Sequence, residues 1–346
     1  MRIIGKGCDK MHIPENYLSP QTCLAMGAAM LPVWYMTVQR VKEEIPRERL
    51  PLLGICAAFS FLGMMFNVPL PGGTTGHAVG GTLLAVLLGP WAACLTVSAA
   101  LLIQAVFFGD GGILSFAANC FNMAFVLPFA GFFAYRGLRR FGERLAAGVG
   151  GYIGINAAAF CAAVEFGIQP MLFADSAGQA LYCPYGLQVS VPAMMAGHLT
   201  LFGLAEVVFT VAVLSYLRRT APALVEHAAV QRCEKPVYAL VVALIACTPL
   251  GLLAEGTAWG EWGTEEIAAL SETGAPLGYT PSGMETGFRF ASLLPDYAVA
   301  GLPDSFGYIL SAVIGTALLV LLFKVIASMR RKDVDYDEDF MGLHEE

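Results

Sequence analysis

The sequence predicts an all-α fold: a polytopic membrane helix bundle of about seven helices, followed by a C-terminal two-helix hairpin with an extracytoplasmic loop. Composition is the first observation behind this. Of 346 residues, 57% are hydrophobic and only 14% are charged, too few polar groups to cover a water-soluble globule. The second is run length. The stretches Leu50 to Leu70, Ile113 to Tyr135, Val189 to Leu217 and Phe306 to Ser328 each reach about 20 residues, enough for a helix to cross a hydrocarbon core of roughly 30 Å. A barrel would show short alternating strands instead. The third is the placing of basic residues. Arg40, Lys42, Arg47 and Arg49 form one cluster, Arg136, Arg139, Arg140 and Arg144 a second, Arg218, Arg219, Arg232 and Lys235 a third, and Arg330, Arg331 and Lys332 a fourth. The positive-inside rule assigns all four to the cytoplasmic side.

The elements follow in order from these markers. A first crossing precedes Arg40, and Leu50 to Leu70 returns to the outside. The region from Asn67 to Arg136 must then cross an odd number of times. Gly89-Pro90 breaks the apolar run Ala78 to Phe108, because proline ends or kinks a helix. Two crossings are expected there, the first, Ala78 to Leu88, too short for a full span and therefore packed inside protein. Ile113 to Tyr135 is the third. The segment around Gly167 to Leu187 has no basic residue and lies outside, before Val189 to Leu217 crosses inward. Seven crossings to Leu217 and two after it put the N-terminus outside. The expected organisation is a membrane component over 11–217, a cytoplasmic linker over 218–235, and a smaller component over 236–346 with an acidic outer loop over 254–305. Residues 1–10, MRIIGKGCDK, oppose this topology, since Arg2, Lys6 and Lys10 favour the cytoplasm and no apolar signal core is present. A start at Met11 removes the conflict.

The nine cysteines are odd in number and form no C-x-x-C pair. Cys56, Cys94, Cys120, Cys161 and Cys247 lie within apolar runs and read as small hydrophobes before thiolate ligands. The net charge of −7 is segregated along the chain and says little about partners. Nothing points to nucleic acid.

Chemistry is concentrated in two of the five histidines. His12 stands in MHIPENYLSP and His77 in GGTTGHAVGG, both on the predicted outer side together with the FGDGG loop at Asp110. Imidazoles in an apolar setting suit a borderline transition metal and offer nothing hard for magnesium or calcium. With Met11 as first residue, its free amine, the amide nitrogen of His12 and the His12 imidazole can chelate an ion in fused rings, and His77 can fill a fourth position. Four planar nitrogens suit Ni(II) or Cu(II) better than tetrahedral Zn(II). Gly72, Gly73 and Gly76 give the second loop freedom to bring His77 inward. An interfacial or hydrogen-bonded histidine is the bland alternative. Asn119 and Asn122 are expected to support the His77 loop or to join helix to helix. Glu206, inside a membrane helix, is a functional candidate because an unpaired carboxylate is costly there. His198 lies eight positions away and need not share its face. Together Asn119, Asn122, His198 and Glu206 are the expected supporting or pathway groups. Glu255, Glu261, Glu265 and Glu266 form a solvated acidic loop or gather cations weakly, and Trp259 and Trp262 are expected at the lipid interface.

The chain resembles the substrate-binding membrane component of nickel and cobalt energy-coupling-factor importers, the CbiM/NikM family. The phrases MHIPENYLSP, GGTTGHAVGGTLLAVLLGPWAA and FGDGGILSFAANCFNMA carry the resemblance, with a weaker echo in GHLTLFGLAEVVFT. TPLGLLAEGTAWGEWG and LLPDYAVAGLPDSFGYILSAVIG look like the small additional, N-type component fused in the same chain. By that resemblance the ion is held by the Met11 amine, the amide and imidazole of His12, and the His77 imidazole. Asn16 replaces a glycine frequent in the opening motif. The resemblance implies a capture subunit for Ni(II), or for Co(II) in cobalamin synthesis, in a bacterial cytoplasmic membrane. Its partners would be a membrane coupling (T) subunit, two ATPase (A) subunits and membrane lipid, with no cofactor beyond the transported ion. No G-x-x-x-x-G-K-[ST] occurs in the chain, so energy would come from those partners. An ion-coupled secondary transporter would need mid-membrane ionisable groups, for which Glu206 alone speaks. A metalloenzyme would need a general acid or base beside the metal, where only Glu15 is near in sequence.

Overall fold

A computed structural model describes residues 12–70, 74–225, 234–254, 258–260, 262–264, 267–269 and 277–342. Helix α1 (Pro20–Glu44) is capped by Ser19, whose hydroxyl accepts from the Thr22 amide, and has Pro20 in its first turn, where a missing N–H costs nothing. Leu24, Leu31 and Tyr35 are exposed along it, a lipid-facing stripe. Helix α2 (Leu50–Met64) is the opposite case, buried on nearly every side. It ends earlier than the apolar run predicts. Pro69 lacks an N–H and pushes Val68 into extended backbone, and β1 (Val68–Leu70) pairs antiparallel with β2 (Thr74–Gly76), matching Val68 to Gly76.

Helix α3 (Gly81–Leu88) is short and buried, as the sequence predicts. Gly89, at φ +87, lets the chain reverse into Pro90, which opens α4 (Pro90–Phe108). Helices α5 (Phe116–Phe141), α6 (Glu143–Leu172) and α7 (Leu187–Thr220) complete the central bundle. After the linker, α8 (Lys235–Leu253) and α9 (Asp304–Gly342) form the C-terminal pair. Six helices among the described residues are long and apolar enough to cross a membrane: α4 to α8 and the 304–330 stretch of α9. The protein is a multi-pass helical membrane protein. Helices α1 and α2 fall outside that six, and α2 at 15 residues rises only about 22 Å.

Helix α9 seals α2. A Cβ on Gly54 would stand 3.0 Å from both the Leu319 carbonyl oxygen and the Val320 Cα, and Tyr308 donates its hydroxyl to the Met65 carbonyl at 3.0 Å. At the arginine-bearing end of the bundle, Arg330 donates to the carbonyls of Lys42 and Ile45 at 2.7 and 3.2 Å. That contact satisfies acceptors the end of α1 leaves open. Arg218 and Glu143 join α7 to α6 through two charge-assisted hydrogen bonds.

The start of α3 depends on α7. Glu206 is wholly buried, and one of its oxygens accepts from the Val79 amide at 2.9 Å and the Gly80 amide at 3.1 Å. First-turn amides have no partner within their own helix, so Glu206 serves as a cap supplied from another element. Gly80, at φ +71, supplies the left-handed residue this entrance requires.

Two outcomes follow from this packing. Gly54→Val forces α9 off α2 and costs about 1–3 kcal/mol of overpacking, read as a lower thermal unfolding midpoint of the detergent-purified protein. Glu206→Leu strands two buried amides at about 1–3 kcal/mol each. Hydrogen exchange at Val79 and Gly80 rises while Val97 in α4 keeps its protection.

Candidate metal centre

Residues 12–19 thread between the helices as irregular backbone, and their polar groups are taken up by the segment between α4 and α5. Ile13 donates its amide to Asn119 Oδ1 at 3.0 Å. Its carbonyl accepts from Asn119 Nδ2 at 3.1 Å, Gly112 N at 2.9 Å and Ser115 Oγ at 2.6 Å. The Glu15 carboxylate accepts from the Ile113 and Leu114 amides. So close an approach needs glycine: a Cβ on Gly112 would lie 2.7 Å from the Glu15 amide nitrogen, and Gly111 sits at φ +86 with His12 Cβ 3.0 Å from where its own Cβ would be. Asn16 adopts φ 61, the left-handed conformation asparagine tolerates, and donates its amide to the Phe288 carbonyl at 2.7 Å.

This threading brings His12 to His77. Their rings stand 5.2 Å apart, centroid to centroid, at an interplanar angle of 51°, and both residues are buried. His77 is delivered by β2, where Gly76 is required because a Cβ would meet the Phe202 ring at 2.7 Å. His12 Nδ1 is hydrogen-bonded to Asp110 Oδ1 at 2.8 Å, while its Nε2 is buried without a hydrogen-bond partner. Asp110 Oδ2 accepts from the Tyr297 hydroxyl at 2.6 Å and from Gln104 Nε2 at 3.4 Å, and Gln104 Nε2 also donates to the Tyr297 oxygen at 2.9 Å. Burial, then the adjacent Asp110 carboxylate, holds the Tyr297 phenol well above its ordinary pKa, so the hydroxyl stays a donor.

The two ring nitrogens of His12 differ in what they can do. A chelate that includes the His12 amide nitrogen closes a six-membered ring through Nδ1, and Nε2 is out of reach of such a ring. A half-turn about Cβ–Cγ carries Nδ1 to the opposite edge and puts Nε2 where Cε1 now stands, beside the carboxylate. In the structure Asp110 is on Nδ1, so ligation through Nδ1 requires that turn.

A cavity of about 100 Å³ lies against both histidines, with His198, Met123, Met194 and Trp259 also in its wall. Wide π-type turns at Cys120–Val126 in α5 and His198–Phe202 in α7 contribute to its wall, and a third, Gln104–Phe108, closes α4 and carries Gln104 to Asp110. Such turns free backbone groups and re-aim side chains, and are frequent at functional sites. His198 lines the cavity with Nδ1 on the Met194 carbonyl at 2.9 Å and its ring edge-on to Phe202. Glu206 does not line it and acts behind His77, through Val79 and Gly80.

Several sequence expectations change here. Asn119 supports the His12 segment and not the His77 loop, because its amide matches the two backbone groups of Ile13. Asn122 lines the cavity and donates to Glu165 Oε2 at 2.9 Å, a helix-to-helix contact. Trp259 and Trp262 pack on Tyr185, and Trp259 also on Phe166; Trp259 lines the cavity and Trp262 is buried beside it, so packing inside the protein takes the place of the expected interfacial anchoring. Asp110 on His12, the Gln104–Tyr297 pair behind it, and the buried Glu165 are not singled out by the sequence. A carboxylate between glycines in FGDGG is a signal for the first, whereas nothing local marks Tyr297. Met11, Gly72, Gly73, Glu255, Glu261, Glu265 and Glu266 lie outside the described residues. Among the described residues no group of three or more His, Cys, Asp or Glu side chains is arranged to hold a metal, so a site centred on His12 and His77 needs a further donor.

Comparison with known proteins gives two matches along the chain: residues 12–224 match CbiM, described as the cobalt uptake substrate-specific transmembrane region, and residues 235–332 match the PDGLE domain. A "Probable fused nickel transport protein LarMN" of Lactiplantibacillus plantarum is 50% identical over 317 residues, covering 91% of this chain and 97% of that protein. The "Fused nickel transport protein NikMN" of Rhodobacter capsulatus is 47% identical over 341 residues, covering 92% and 98%. A solved structure titled "Crystal Structure of an Truncated Transition metal Transporter" is 52% identical, with a TM-score of 0.58 over 63% of this chain and all of that one. With the CbiM region spanning more than half of its length and fused relatives matching it almost end to end, the chain belongs to the CbiM family, in the form that carries a PDGLE domain after the membrane bundle.

Proposed function

We propose that the protein is the substrate-specific component of an energy-coupling-factor importer, capturing Ni(II) on the outer side of a bacterial cytoplasmic membrane. The observation that carries this reading is the meeting of two buried histidines, His12 and His77, 5.2 Å between ring centroids, in the wall of one cavity. In this reading the Met11 amine, the amide nitrogen and Nδ1 of His12, and an imidazole nitrogen of His77 form a planar four-nitrogen set, which Ni(II) accepts readily. Asn119, Asn122, His198 and Glu206 support the ligands or the path behind them. The site requires the Met11 amine to be free, and hence a mature chain that begins at Met11 with its N-terminus outside.

The chain is read as three parts: 11–217 holds the ion, 218–235 connects on the cytoplasmic side, and 236–346 is the additional small component with its outer loop over 254–305. Transport energy comes from two ATPase subunits coupled through a membrane subunit, and the chain itself is not an enzyme. Nickel is favoured over cobalt because the relatives that match over almost the whole length are named nickel transport proteins, while the family description names cobalt. Direct competition between the two ions decides the point.

The protein beginning at Met11, purified in detergent, binds Ni(II) at one ion per chain, and His12→Ala and His77→Ala each abolish it, as read by elemental analysis. Both variants retaining stoichiometric nickel removes the proposed site. Extension of the chain ahead of Met11 lowers affinity steeply, measured by isothermal titration on proteins whose N-termini have been read by intact mass. In cells, inactivating the partner ATPases stops uptake while leaving binding by this chain unchanged.

A further inference from the structure

The network behind His12 crosses between the two halves of the chain. Asp110 belongs to the CbiM-matching part and Tyr297 to the PDGLE-matching part. The Tyr297 hydroxyl, 2.6 Å from Asp110 Oδ2, is the described contact by which the C-terminal part reaches the carboxylate that holds His12.

Tyr297 is held in an unusual way. Asp296 and Tyr297 are consecutive non-glycine residues with positive φ, 55 and 58. Such residues are strained and persist only where their surroundings over-determine them. Those surroundings are present. Leu294 donates its amide to the Phe107 carbonyl at 2.8 Å, Ser311 donates its hydroxyl to the Tyr297 carbonyl at 2.9 Å, and the Tyr297 ring stacks on Phe108 at 4.7 Å and meets Tyr308 edge-on at 5.4 Å. The strained backbone thus aims one buried hydroxyl at one buried carboxylate, with Gln104 Nε2 also on both. Simple packing of a tyrosine against Phe108 would not require that aim.

We propose that Tyr297 and Asp110 are positioning residues for metal capture: through them the C-terminal part of the chain fixes the orientation of the His12 imidazole. A histidine that ligates a metal generally has its other nitrogen hydrogen-bonded to a carboxylate or carbonyl, which sets tautomer and ring angle. In the structure Asp110 holds the His12 ring by Nδ1; when Nδ1 takes the ion, a half-turn about Cβ–Cγ brings Nε2 toward the same carboxylate, which Tyr297 fixes through its second oxygen. Without the hydroxyl, Asp110 loses the shortest bond to its second oxygen and the His12 ring is held less firmly at its angle toward His77, while the ligands all remain.

The inference rests on the His12–His77 site, so the experiment separates the two. Ni(II) affinity and the visible d–d spectrum of bound Ni(II) are measured on the protein beginning at Met11, with its C-terminal part intact, and on its His12→Ala, Asp110→Asn, Tyr297→Phe and Tyr308→Phe variants. Tyr308→Phe is the control: it deletes a hydroxyl of the same neighbourhood, bonded to the Met65 carbonyl and not to Asp110. Asp110→Asn is expected to weaken binding about 10–100-fold, the range for loss of a carboxylate behind a metal-bound histidine, and Tyr297→Phe about 10-fold, both with a shifted d–d band. His12→Ala binds no nickel, and Tyr308→Phe behaves as the parent. If His12→Ala loses nickel while Tyr297→Phe and Asp110→Asn keep parental affinity and spectrum, the positioning role is overturned and the site stands. Equal weakening in Tyr297→Phe and Tyr308→Phe with an unshifted band also overturns it, as a loss of packing alone. Nickel retained by His12→Ala overturns the site and the inference together.

Discussion

Irregular backbone inside a membrane protein must have every polar group satisfied by protein, because lipid offers no hydrogen bonds, and residues 12–19 impose that constraint on everything around them. The side-chain amide of Asn119 answers both backbone groups of Ile13, Ser115 and Gly112 add donors to the same carbonyl, and Glu15 takes two amides of the turn before α5. Gln169, at the end of α6, accepts the Ser19 amide at 3.0 Å and donates to Thr22 Oγ1 at 3.1 Å. Once these partners are in place the segment has little choice of position, and His12 is delivered to a fixed point among the helices. The double glycine after Asp110 is part of the same requirement, since any side chain there would occupy the space of Glu15 or His12.

The second histidine is delivered by different means. Its loop is a two-stranded hairpin made where a proline prevents α2 from continuing, and its far side is held by a carboxylate from α7. Glu206 capping the start of α3 resembles a helix N-terminus that binds an anion, with the anion built into the protein. The two arrangements meet at the cavity, where α5 and α7 carry π-type turns, while a third in α4 bears Gln104, which reaches Asp110. Regular α-helix repeats its side chains at fixed angles, so a site assembled from α5, α6 and α7 gains freedom in side-chain direction from those local departures.

Much of this was legible in the sequence because membrane helices announce themselves by length and hydropathy, and because Gly89-Pro90 marks a break no helix passes. The short buried α3 followed from that break. The early end of α2 was missed because Val68-Pro69-Leu70 is as apolar as the helix before it, and only the proline distinguishes the two. The pair His12 and His77 was legible from chemistry, as two of few imidazoles in an apolar chain. Their supports were not, since hydrogen bonds between residues as distant as Asp110 and Tyr297, or Val79 and Glu206, leave no local pattern. Trp259 and Trp262 misled for a related reason: tryptophan is common both at the lipid interface and over buried cavities, and sequence alone does not separate the two.

The C-terminal part is bound to the end of the bundle that carries His12 by contacts that are individually modest. Phe288 receives the Asn16 amide, Gly283 donates to the Leu181 carbonyl, Leu294 to that of Phe107, and Tyr308 to that of Met65. A net hydrogen bond contributes only about 0.5–1.5 kcal/mol, and as separate proteins such surfaces would also have to offset several kcal/mol of lost translational and rotational freedom. Joining the two parts in one chain makes the docking intramolecular and raises its effective concentration. The weak contacts then suffice to keep Tyr297 against Asp110. Fusion therefore does more than ensure equal amounts of two components: together with the packing of α9 on α2, it lets the strained segment at Tyr297 hold a fixed geometry beside the two histidines.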